Sequence, residues 1–284
     1  PATTGTSTTT GDPGPLTRCP VVAEPVKAAF VNDPEITETS GLIASRTQPG
    51  VFWLHNDSGD LPRVFAVDAA GATLGVFHLV GADAIDWEDM SSGPGPSPGE
   101  WLYLGDIGDN LEQRPTITVY RVPEPDAHAA RGGTVDVTGV EAIELAYPDA
   151  PHNAETLLVD PQSGDLLIII KDDPTRIFQL PGPIAAGGPY LLEEVLPVDI
   201  PMTVATGGDV APLGDFIAVR NYALAFLWLR PPGTTLAEAF AGSPCAIPLA
   251  VETLAEALTV APDGRGYYTL GEGVGRPLWW FPFE

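Results

Sequence analysis

Short apolar runs recur along the chain, paired across turns that carry glycine and followed by polar loops. Five stretches share this pattern: SGLIASRTQPGVFWLHNDSG, EDMSSGPGPSPGEWLYLGDIGDN, ETLLVDPQSGDLLIIIKDD, TGGDVAPLGDFIAVRNY and EALTVAPDGRGYYTLGEG. Their turn glycines are Gly50, Gly99, Gly164, Gly214 and Gly264. A third strand follows each unit (RVFAVDA, TITVYRVPE, RIFQLPG, FLWLRPP, PLWWFPFE), and fourth-strand candidates are TLGVFHLV, EAIELAYPD, LLEEVLPVDI and AIPLAVETL. Runs such as LLIII and FLWL do not alternate cleanly, as expected of strands buried on both faces.

Four antiparallel strands repeated at a period of about 50 residues describe a β-propeller blade. The pattern therefore predicts an all-β, five-bladed β-propeller over residues 20–284, with four antiparallel strands per blade. The last unit has only three strands, and EPVKAAFVND stands unpaired before the first unit. An N-terminal strand near residues 26–33 is expected to complete the final blade and remove the open edge of the ring. A six-bladed ring and a β-sandwich are the alternatives. The 67-residue step from Glu88 to Glu155 has room for another blade. One fourth strand and a polar loop, EPDAHAARGGTVDVTG, account for it instead.

Composition agrees with many short strands. Glycine and proline number 31 each in 284 residues, and 44% of residues are hydrophobic. The formal net charge of −25 repels phosphate backbones, which argues against nucleic acid and for cations. No apolar run approaches the roughly 18 residues of a membrane span. Residues 1–19 begin with a Thr/Gly/Pro-rich stretch and read as the tether of an exported or lipid-anchored protein, in the extracellular space, the periplasm or on the cell surface. Cys19 and Cys245, the two cysteines, favour one disulfide in such a compartment, two buried thiols being the alternative. A monomer is expected.

In a propeller, the start of each innermost strand and the loop after each second strand open on one face. Four residues before the aligned positions Ala44, Ser92, Val159, Val210 and Val260 stand Ser40, Glu88, Glu155, Thr206 and Glu256. Each carries a side-chain oxygen, and Glu is depleted in strands. Carboxylates converging on a narrow axis repel and are costly to desolvate, and a divalent cation removes that cost. Oxygen ligands without Cys or His select a hard cation, Ca2+ before Mg2+. Polar strand starts solvated by a water-filled channel are the plainer alternative.

This order of Ser, Glu, Glu, hydroxyl and Glu on five successive inner strands, with ETSGL around Ser40, DWEDM around Glu88 and LAEAL around Glu256, resembles the calcium-activated nucleotidases (apyrases). A broader set of bacterial calcium propellers, esterase-like and phytase-like, is similar in the same way. The resemblance implies five blades and an axial calcium.

The second-strand loops supply His55, Asn56 and Asp57, then Asp106, Asp109 and Asn110, then Lys171, then Arg220 and Asn221, then Glu272. Turn chemistry explains many of these residues. The functional expectation is a polar pocket over the ion. Asp57 or Asp106 would be a base, and Lys171 and Arg220 would hold an anionic group. His55, Asn56, Asp109, Asn110, Asn221 and Glu272 would line the ligand. The nucleotidases have a basic pocket, whereas this set is mainly acidic and amide. Two functions follow: a calcium-dependent ester or phosphoester hydrolase, or a non-catalytic surface propeller that binds a small molecule or a protein. Asn56-Asp57-Ser58 also matches a glycosylation sequon, a pattern of low specificity. His78, His128 and His152 lack metal-ligand spacing, and Asp60, Asp68 and Asp160 read as turn residues.

Overall fold

The computed structural model of the chain describes residues 14–195 and 201–284. The strands, in chain order, are β1 (Val26–Val31), β2 (Thr39–Ala44), β3 (Val51–Asn56), β4 (Arg63–Asp68), β5 (Thr73–Leu79), β6 (Trp87–Pro94), β7 (Glu100–Asp106), β8 (Ile117–Pro123), β9 (Thr134–Val137), β10 (Glu141–Ala146) and β11 (Ala154–Val159). They continue with β12 (Leu166–Ile170), β13 (Ile177–Leu180), β14 (Gly187–Leu191), β15 (Glu193–Glu194), β16 (Gly207–Val210), β17 (Phe216–Arg220), β18 (Ala225–Leu229), β19 (Cys245–Ile247), β20 (Ala257–Val260), β21 (Gly266–Leu270) and β22 (Arg276–Pro282).

They form five sheets, each built outward from one buried strand. These innermost strands neighbour one another in the order β2, β6, β11, β16, β20 and back to β2, which closes the ring of a five-bladed propeller. The five turn glycines all have positive φ: Gly50 77°, Gly99 119°, Gly164 75°, Gly214 70° and Gly264 68°. That conformation is cheap only for glycine, so the glycines mark the hairpins between first and second strands. The N-terminal strand β1 pairs antiparallel with β22 and completes blade five, Val26 opposite Trp280 and Val31 opposite Arg276. The Cys19–Cys245 disulfide, with Cα atoms 5.6 Å apart, ties the segment before β1 to the outer strand of blade four.

Each seam between blades holds its own apolar core. Along β12, Leu166, Ile168 and Ile170 enter the core shared with blade two, while Leu167 and Ile169 enter the core shared with blade four. Along β3, Val51 and Trp53 face blade two, and Phe52 and Leu54 face blade five. Alternation persists, but both faces are apolar because a blade is packed on both sides.

Two outer edges differ from the four-strand expectation. The segment TVDV, read from sequence as polar loop, forms β9 and pairs parallel with β5 on blade one before the chain returns to blade two. In the same way β14 crosses back and pairs parallel with β10 on blade two. Each addition covers an edge that would otherwise present unpaired backbone groups. Residues 1–13 of the expected tether, and the end of LLEEVLPVDI, lie outside the described residues. Among the described residues no helix is long and apolar enough to cross a membrane.

Candidate metal centre at the channel mouth

Local backbone irregularity aims the candidate ligands. In β2 the register passes from Thr39 opposite Asn56 to Gly41 opposite His55, which leaves Ser40 as an extra residue. In β11 Glu155 is extra in the same way, between Ala154 opposite Ile170 and Thr156 opposite Ile169. In β6 the step from Trp87 opposite Asp106 to Met90 opposite Leu104 leaves one residue over at Glu88-Asp89. These are β-bulges, and a bulge re-aims a side chain out of the regular alternation. Blades four and five reach the same end differently. Val204 (φ 60°) and Leu254 (φ 42°) hold left-handed backbone two residues before Thr206 and Glu256. Bulky residues rarely adopt that conformation, and such strain gathers where a site has to be shaped.

One carboxylate oxygen from each of Asp57, Glu88 and Glu256 lies within 4.8 Å of the other two. Glu88 and Glu256 come from inner strands and Asp57 from the loop after β3. Ser40 donates from Oγ to Oε2 of Glu256 at 3.0 Å. Tyr222 donates from its hydroxyl to Oε1 of the same glutamate at 2.9 Å. Glu155 stands at the edge of the group, where its Oε1 accepts the Lys171 ammonium. Its Oε2 is buried and, among the described residues, has no hydrogen-bond partner. The Thr206 hydroxyl is buried and unpartnered in the same sense, outside the trio of carboxylates.

Burial and mutual repulsion disfavour the charged forms of these carboxylates. Burial, then the charges of Glu155 and Asp57, pushes the Glu88 carboxyl far above the usual range, to about 11. Burial pushes Glu155 up to about 8 although Lys171 opposes it, with Glu256 adding to the rise. Asp57 is raised to about 6 by burial and by Glu256, against a backbone hydrogen bond from Ser58. Glu272, half-buried beside them, is raised to about 7 by burial, Glu256 and Asp57. Burial alone would lower the Lys171 ammonium, but its hydrogen bond to Glu155 outweighs that and raises it.

Other expected site residues have structural work. Arg220, expected at an exposed strand end, is fully buried. Its Nη1 lies 3.2 Å from the Glu252 carboxylate and donates to the Ala257 carbonyl, so it does not face a ligand at the mouth. Asp106 is buried and accepts from the Asp86 N–H at 3.0 Å and from Arg114 at 2.9 Å. That occupies the carboxylate expected to be free as a base. His55 is buried, edge-on to Trp87, and burial lowers it to about 4, so it stays neutral. Asn56 is buried, accepts from the N–H groups of Thr37 and Glu38 and donates to Glu35 and Asp60, which leaves no amide for a glycan. Asp109 accepts from the Arg114 N–H, and Asn110 accepts from Asn153 at 3.4 Å. Asn221 caps its own turn by accepting from Ala223 and Leu224.

Asp89 was not singled out in the sequence. Its fully buried carboxylate accepts from the N–H of Met90 (2.8 Å), of Leu157 on blade three (3.0 Å) and of Gly208 on blade four (3.2 Å). One carboxylate thus joins blades two, three and four just beneath the mouth. Asp209 accepts from Val260 at 2.9 Å, and Thr259 accepts from Ala44 at 2.9 Å, which carries the stitching on to blades five and one. The only sequence signal for Asp89 is its place beside Glu88: in regular strand one of two successive acids faces away from the axis, and the bulge removes that rule.

A scan against protein-family models finds no match to the chain, and a search of curated proteins finds none either.

Proposed function

We propose that this protein is an exported, calcium-binding β-propeller whose mouth recognises a ligand, with the ion held at the axis. The observation that carries the reading is the convergence of Asp57, Glu88 and Glu256 within 4.8 Å. Calcium–oxygen bonds of about 2.3–2.6 Å let one ion touch oxygens that far apart, whereas Mg2+ demands a tighter octahedron. Ser40, bonded to Glu256, and Glu155, at the edge of the group, would join the same ion directly or through water. Binding would displace the protons that burial favours on these carboxylates, so the ion replaces an electrostatic cost with an attraction. The Cys19–Cys245 bond supports an oxidising compartment and therefore export.

The ligand-binding reading is better supported than the hydrolytic one. A calcium ion would polarise a bound oxygen, but the residues expected to complete hydrolysis are engaged elsewhere. Arg220 is buried on Glu252 and Asp106 on Arg114. Asp57 belongs to the carboxylate trio, and Lys171 is neutralised by Glu155. The likeness to calcium-activated nucleotidases is thus kept for the five blades and the axial ion, and a polyphosphate substrate is not proposed.

Calorimetric titration of chelator-treated protein with Ca2+ and Mg2+ tests the reading. One Ca2+ per chain, bound more tightly than Mg2+ and lost in Glu256→Gln, is expected. No heat with either ion, and no metal by elemental analysis of the untreated protein, would remove it.

A further inference from the structure

Exposed apolar side chains gather at the same end of the propeller as the carboxylates. Leu61 lies in the β3–β4 loop, Ile85 on the approach to β6, Leu111 in the β7–β8 loop, Leu224 in the β17–β18 loop, Leu254 on the approach to β20 and Val274 in the β21–β22 loop. Each of these segments opens on the mouth by topology. Leu111 is 75% exposed, Leu61 and Ile85 61% each, and Leu254 59%. The rim spans four blades and is interrupted at blade three, whose loop carries Asp172 and Asp173 instead. Exposed apolar side chains concentrated on one face mark an interaction surface, whereas leucines scattered singly over a molecule do not.

The centre of this face is negative. Besides the trio of carboxylates it carries Glu272, together with Asp86 and Glu38, whose charges act on Asp57. Most cations near this end are already matched: Arg63 with Glu35 and Asp60, Arg114 with Asp106, Lys171 with Glu155, and Arg176 with Asp149, while Arg276 at the start of β22 donates to the Glu272 carbonyl and has no carboxylate partner among the described residues. Negative charge therefore remains in excess even with a divalent ion at the axis. The mouth also shows what it accepts. The Lys171 ammonium is held by Glu155, hydrogen-bonded to the Tyr222 hydroxyl at 3.1 Å and set 5.4 Å from the centre of the Tyr222 ring. Carboxylate plus aromatic face is the environment an alkylammonium prefers.

We infer that the mouth face is a docking surface for a polypeptide partner that presents a lysine among apolar residues, the ammonium entering the acidic centre and the apolar residues lying on the rim. A second copy of this chain is disfavoured, because two acidic mouths face to face repel. A lipid surface is disfavoured too, since Arg276 is outnumbered by the surrounding carboxylates, which repel anionic headgroups. The inference goes beyond the proposed ion site and does not require it.

The test titrates a capped heptapeptide of alternating leucine and lysine into the protein at 0.15 M salt, with calcium and with chelator. A capped peptide with glutamine in place of lysine serves as control. One-to-one binding of the lysine peptide is expected, with the control at least tenfold weaker. Leu111→Ser combined with Leu254→Ser should weaken binding at least tenfold, while Leu213→Ser, exposed at the opposite end, should leave it unchanged. No binding, equal binding of the glutamine peptide, or indifference to the rim variant would overturn the inference. So would rim-dependent self-association, or rim-dependent binding to phosphatidylcholine vesicles, in favour of those occupants. The calcium-induced rise in melting temperature, read on the same samples, reports on the ion alone. Its absence would remove the calcium reading and leave the docking result standing.

Discussion

The Tyr222 hydroxyl donates a 2.9 Å hydrogen bond to Oε1 of Glu256. One tyrosine thereby links a carboxylate of the candidate ion site to the only ammonium beside it among the described residues, because the same hydroxyl accepts from Lys171. Lys171 supplies one positive charge to a group of carboxylates that a divalent ion would neutralise only in part. Lys171→Met is therefore expected to tighten calcium binding, on the order of tenfold, since a unit charge a few ångströms from the ion is removed and Glu155 is released. A chelator-competition titration reads this. Weaker binding in the variant would mean that Lys171 organises the site rather than competing for it.

Glu88→Gln and Glu256→Gln should separate the ion's contribution from the fold's. In excess calcium both variants should lose at least half of the calcium-induced rise in melting temperature, because an ion bound only to the folded chain stabilises it according to occupancy. In chelator Glu88→Gln should be as stable as the parent or more so, since the neutral amide avoids the burial that raises the Glu88 carboxyl. A marked loss of stability in chelator would count against that electrostatic account.

Stability without metal should fall as pH rises from about 4 to 8. Asp57, Glu272 and Glu155 are raised on folding to about 6, 7 and 8, and Glu88 further still. For an acid raised in the folded state, the folded chain holds more protons than the unfolded chain between the two values. Its contribution is thus present at low pH and is lost as pH climbs through the folded value. Asp60 and Asp149 are lowered instead, and their contributions disappear below about pH 4, outside this window. Saturating calcium should flatten the decline. Urea midpoints across the range, in chelator and in calcium, measure both curves, and a chelator curve rising from pH 5 to 8 would refute the assignment.

Asp89→Ala should destabilise the propeller by about 3 kcal/mol or more. The change leaves the buried N–H groups of Met90, Leu157 and Gly208 without their acceptor, each costing roughly 1–3 kcal/mol. Urea unfolding gives the number. A cost under about 1 kcal/mol would mean that water takes over the three donors.

Replacing Cys19 and Cys245 together by serine should cost about 2–4 kcal/mol, because the bond restricts the unfolded chain across a separation of 226 residues. Calcium affinity should not change, since the bond lies on the outer rim of blade four and the ligands at the axis. A shared loss of both would show that the outer strands position the mouth.

Particular residues show how far the sequence could be read. The five turn glycines mark hairpins because positive φ is nearly their monopoly, and all five have it. LLIII predicts a strand buried on both faces, and its residues divide between two seams. TVDV, four residues of weak alternation, gives no sign that it will pair with the edge of the preceding blade, because an edge strand's partner is chosen by proximity in the finished fold. Glu88 and Glu256 are legible as candidate ligands by their recurrence, and Asp57 only as an acidic loop residue. That Asp57 brings an oxygen within 4.8 Å of theirs depends on how the β3–β4 loop closes over the axis.

Local pattern by itself pointed to five blades and to the closing strand, because turn chemistry, strand length and chain order are properties of short segments, whereas the Cys19–Cys245 bond, across 226 residues, was settled only by the fold. The tertiary structure alone decided which acids share a space and which cations are left to meet a ligand. Arg220 and Lys171 look alike in sequence, each at the end of a second strand, yet one is sealed on Glu252 and the other reaches Glu155 and Tyr222 at the mouth. Side-chain direction at a strand end follows from bulges, loop closure and the neighbouring blade, and none of these is written in the residue's own segment.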